Sequence, residues 1–153
     1  NTSSLMMLDR SKKIPIALHT TNTGYEVFLR DSRNNTQLDV ATAQRLLKEF
    51  GLTKASGPIN PAAILAALCA DYTAEIKRFI TSVSETQKIQ VSPHILLFNQ
   101  SQSILGFDSM ISKALGAPAN YLDVTDMLTP NDVTTYFKSD WPAFIPLMGA
   151  SIR

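Results

Sequence analysis

From about Ile64 to near Thr86, apolar side chains return at three- and four-residue steps: Leu65, Leu68, Tyr72, Ile76, Phe79 and Val83. That spacing lays one continuous stripe along one face of a helix, and a stripe of this length must be buried against another layer. Asn60-Pro61 stands just upstream, a capping side chain followed by a proline whose missing N–H costs nothing at a first helical position, so a long helix is predicted to start there. With 153 residues, 44% of them hydrophobic, the chain has the size and apolar content of a single domain with a real core.

The remaining elements are read around that helix. Ile14–Thr20 is apolar and β-favouring, Asn22-Thr23-Gly24 supplies turn residues, and Tyr25–Arg30 alternates in part between apolar and polar, which predicts a hairpin. A second turn over Asp31–Asn35 returns Thr36–Val40 as a third antiparallel strand. Asp39 caps a helix whose Ala43, Leu46, Leu47 and Phe50 share a face, with Gly51 as its left-handed stop. His94–Phe98 reads as a strand covered on both faces, 106–115 as a helix closed by Gly116, and Tyr121–Val124 as a further strand. Thr129-Pro130 opens another helix, and Asp140 with Pro142 starts the last one, through Arg153. Residues 1–13 are set aside as a leader or linker, and 14–153 as one domain. The order, three antiparallel strands and then strands alternating with helices, predicts an α/β fold with a mixed five-stranded sheet and helices on its faces, as in ribonuclease-H-like domains.

Charge and cysteine content narrow the function. Fourteen basic residues against thirteen acidic ones leave +1, and the basic clusters Arg10, Lys12, Lys13 and Lys77, Arg78 are short, which argues against a nucleic-acid partner. The single cysteine, Cys69, lies in an apolar stretch and suits a buried thiol in a reducing compartment. No apolar run approaches the ~18 to 20 residues that span a bilayer, and the start has no signal-peptide layout. The chain opens without Met, as a piece of a longer protein would.

Catalytic motifs are equally sparse. His19 and His94 are the only histidines, far apart and without neighbouring cysteines or paired carboxylates, so no metal site is expected. No G-x-S-x-G occurs. A two-metal nuclease would need a carboxylate on the first strand, where His19 stands. Asp108, Asp123 and Asp126 read as helix-start and turn residues. Tyr72 and Phe79 read as core; Trp141 reads as core, with an exposed anchor as the alternative.

Against this background IALHTTNTGYEVFLRDSRNN, Glu75-Ile76-Lys77-Arg78-Phe79, LLFNQSQSILGF, Leu115-Gly116-Ala117-Pro118-Ala119 and the terminal Pro146–Arg153 together resemble the C-terminal lobe of the PilM family. These are the actin-like proteins of type IV pilus assembly, with relatives in type II secretion and MSHA-pilus platforms. The resemblance implies an actin-like, ribonuclease-H-like lobe over nearly the whole chain. It also implies where nucleotide contacts would fall: His19, Thr21 and Gly24 in the first loop, Glu75 on the helix, and Asn99, Gln100 and Ser101 in the second loop. The family's loop aspartate and glycines are replaced there by His19, Thr21 and Asn99–Ser101, which brings Cβ atoms where backbone must approach phosphate.

The expectation is therefore a vestigial nucleotide site with no cofactor and no catalysis. The implied function is a protein-interaction scaffold, cytoplasmic at the inner face of the inner membrane, in a pilus or secretion platform. Its partners would be platform proteins, with homo-oligomerisation left open. The alternative is a nucleotide-binding lobe, with magnesium-ATP held against a second lobe outside this chain.

Overall fold

A computed structural model describes residues 2–53, 59–98, 103–122, 129 and 131–137. Within them the order is β1 (Ser3–Asp9), β2 (Ile14–Thr21), α1 (Tyr25–Thr36), α2 (Val40–Glu49), α3 (Pro61–Ile64), α4 (Ala66–Gln87), β3 (Ile95–Leu97), α5 (Phe107–Leu115), β4 (Ala119–Tyr121) and α6 (Asp132–Tyr136). The chain is thus a mixed α/β fold. Its described strands form two two-stranded sheets, β1–β2 antiparallel and β3–β4 parallel. The expected opening of three antiparallel strands is corrected to two.

The first strand comes from the stretch set aside as a leader. Its turn into β2 is closed by Asp9, whose carboxylate accepts from the Ser11 hydroxyl at 2.6 Å and from the Ser11 and Lys12 amides at 2.9 and 3.1 Å. The ladder pairs Leu5 with His19 and Met6 with Leu18, and its register shifts after Met7, so that Ile16 has no partner across it. That extra residue is a bulge on β2.

Tyr25–Arg30 and Asp31–Asn35, predicted as a strand and a turn, are one helix, and Thr36–Val40 is not a strand: Gln37 closes α1 in the left-handed region at φ 56°. The alternation of Tyr25, Val27 and Leu29 misleads because six residues fit a period of two nearly as well as one of 3.6. Burial decides between them, since Phe28, Leu29 and Ser32 share the inner face.

Asp39 caps α2 as expected, accepting from the Thr42 amide at 3.0 Å, and Gly51 has φ 49°. Asn60 likewise caps α3, accepting from the Ala63 amide. The single long helix predicted from Asn60 is instead interrupted at Leu65 (φ −94°, ψ 4°), which is itself fully buried. Beyond that break the stripe runs as expected, with Cys69, Tyr72, Ile76 and Val83 buried along α4.

Three helices meet in an aromatic cluster. Phe28 of α1 sets its ring edge-on to Tyr72 of α4 and to Phe107 of α5, with centroids 6.0 and 5.4 Å apart. Ile104, Ile111, Leu47 and Leu65 complete a core with almost no exposed surface. Leu97 and Ala119 lay β3 and β4 on this core, and Leu5 brings β1 to it.

β3 runs parallel to β4 as expected of the His94–Phe98 segment, but it is not covered on both faces. Leu96 is 52% exposed, because among the described residues the helices pack on the opposite side of the strand. The strand expected over Tyr121–Val124 lies earlier, at Ala119–Tyr121. α5 follows its prediction, ending at Gly116 with φ 63°. The last predicted helix, with Trp141, lies outside the described residues, as do Asp123 and Asp126.

Candidate functional site

The end of β2 and the middle of α4 bring three of the candidate residues together. β2 ends at Thr21, and strand alternation sends the side chains of His19 and Thr21 to the same face. That face meets α4, where Glu75 stands one helical turn beyond Tyr72. Its carboxylate accepts from the Thr21 hydroxyl through Oε2 at 2.6 Å and meets His19 Nε2 through Oε1 at 3.1 Å. With a carboxylate as acceptor, Nε2 is the nitrogen that carries the proton. The His19 ring also lies nearly parallel to Phe79, one turn further along α4, with centroids 5.9 Å apart.

The cluster is closed on its inner side. Thr21 is 2% exposed, and its oxygen accepts from the Thr23 amide at 3.1 Å while its proton goes to Glu75. The Thr23 carbonyl accepts in turn from the Ser3 hydroxyl at 2.7 Å, which ties the start of β1 to the loop. The bonds to the carboxylate, from Thr21 first and His19 second, hold the Glu75 carboxyl below the ordinary glutamate range. Arg78 adds to the same effect from the next turn of α4.

This order of groups says what the cluster does chemically. In a nucleophilic site the imidazole takes the hydroxyl proton and the carboxylate orients the imidazole. Here the carboxylate stands between the other two, and the hydroxyl is buried with both of its hydrogen-bonding roles used. The arrangement is a clasp between strand and helix.

Gly24, the other first-loop candidate, is buried at the N-cap of α1 with φ −114° and ψ 179°, an extended conformation open to any residue. Its carbonyl accepts from the Val27 amide. Asn99, Gln100 and Ser101 lie outside the described residues. His94 is placed apart from the clasp, its Nε2 3.0 Å from the Asn120 amide nitrogen across the β3–β4 pair. Among the described residues no three His, Cys, Asp or Glu side chains are grouped to hold a metal ion, and no helix is long and apolar enough to cross a membrane. Cys69 is buried, and burial pushes its thiol up to about 11, so it is not a nucleophile near neutral pH.

Sequence reasoning misses Ser3 and the stacking role of Phe79. Nothing local to either position announces a partner some twenty or sixty residues away. Glu75 is reached only through the family-like Glu75–Phe79 segment, and its partners emerge only once β2 is laid on α4.

No protein-family model matches the chain, and no curated protein sequence matches it. In three dimensions it is similar to a chain of the PilM-PilN type IV pilus biogenesis complex, with a TM-score of 0.70 and 18% sequence identity. The similarity covers 94% of this chain and 40% of that one, so this chain spans less than half the length of its structural neighbour. At that identity the likeness is one of fold.

Proposed function

We propose that this chain is a non-catalytic interaction domain of actin-like, ribonuclease-H-like type, serving the inner-membrane assembly platform of a type IV pilus or type II secretion machine from the cytoplasmic side. The observation that carries the reading is the clasp: Thr21 and His19, where the family-like loop would meet phosphate, are both engaged by Glu75. A carboxylate at that place also repels the phosphate a nucleotide would bring. The likeness to a chain of a pilus biogenesis complex supports the pilus assignment, and that neighbour's being a protein–protein complex supports protein partners.

Two measurements test the reading. Thermal-shift titration with magnesium-ATP should leave the melting temperature unchanged, whereas a ligand at a hundredfold excess over its Kd would add about 2.7 kcal/mol. A saturable rise would overturn the nucleotide-free reading and favour a nucleotide-binding lobe. Pairwise binding assays against purified pilus and secretion platform subunits of the source organism should give a specific complex. Binding to none of them would remove the platform assignment.

A further inference from the structure

We draw no further inference here: the strongest candidate, the largely apolar cavity of about 580 Å³ between α5 and the starts of α3 and α4, lined among others by Thr53, Cys69 and Lys113, carries nothing, because nothing in the structure shows what covers it and residues 54–58, which lead from Thr53 toward α3, lie outside the described residues.

Discussion

Glu75 grips Thr21 across fifty-four residues of sequence at 2.6 Å, and with the same carboxylate it meets His19 at 3.1 Å. One side chain of α4 thereby fixes the end of β2, which the hairpin ladder alone would hold poorly, since a two-stranded sheet is marginal by itself. Glu75→Ala strands the buried Thr21 hydroxyl and frees the His19 ring. We expect a loss of about 2 kcal/mol, the range for a charge-assisted hydrogen bond plus an orphaned buried donor. Thr21→Val should cost less, and the double variant less than the sum, with a coupling of about 1 kcal/mol. Urea denaturation of the four proteins measures this, and strict additivity would show that the clasp contributes nothing of its own.

The same bond gives a pH dependence of definite sign. Because the Thr21 and His19 bonds favour the charged carboxylate, the pKa of Glu75 is lower in the folded chain than in the unfolded one. Its contribution is fully present above the unfolded value and is lost as pH falls through the folded one. Asp9, held down chiefly by the Ser11 hydroxyl, and Asp39, held down chiefly by the Thr42 hydroxyl, act in the same direction. The melting temperature should therefore fall on the acid side of about pH 4. Glu75→Gln should start lower at neutral pH and decline less on acidification. Equal slopes for the two proteins would uncouple Glu75 from acid unfolding.

Asp39 tests a feature that its own neighbourhood in the chain makes legible. Its carboxylate accepts from both the amide and the hydroxyl of Thr42, at 3.0 and 2.6 Å. Asp39→Ala should lower the melting temperature, because it removes the side chain that caps the first turn of α2. Asp39→Asn should recover most of the loss, because the amide oxygen still accepts. Thermal melts of the three proteins at neutral pH would decide, and an Asn variant as weak as Ala would mean that charge rather than the hydrogen bond is what counts.

What the sequence makes legible is local. The caps Asp39 and Asn60, the left-handed stops Gly51 and Gly116, and the α4 stripe each depend on residues within a turn or two of one another. α1 escapes such reading because Asp31–Asn35 has the composition of a turn, and only the burial of Phe28, Leu29 and Ser32 against the core overrides that preference. β1 escapes it because none of Ser3–Asp9 is fully buried, and its partner is defined by the ladder with β2. The clasp is half legible. Its residues are singled out one by one through the family resemblance, but their mutual bonding depends on the packing of β2 against α4, which no spacing in the sequence encodes.

Gly51 separates the two costs a side chain incurs at a helix stop. Both Gly51 and Gly116 hold left-handed backbone, with φ of 49° and 63°, so alanine at either position brings strain of about 1 kcal/mol. Around Gly116 there is open space, and Gly116→Ala should cost no more than that strain. At Gly51 an added Cβ would run into the backbone of Leu105, whose carbonyl accepts from the Leu52 amide at 2.8 Å and whose amide donates to the Leu47 carbonyl at 3.0 Å. That backbone cannot yield without breaking the link between the end of α2 and the approach to α5. Gly51→Ala should therefore cost at least about 2 kcal/mol more than Gly116→Ala, the scale of overpacking in a rigid core. Denaturant midpoints at unchanged slope read the difference. Equal midpoints would mean that the Leu105 segment can move away from α2, and that this junction is softer than its hydrogen bonds imply.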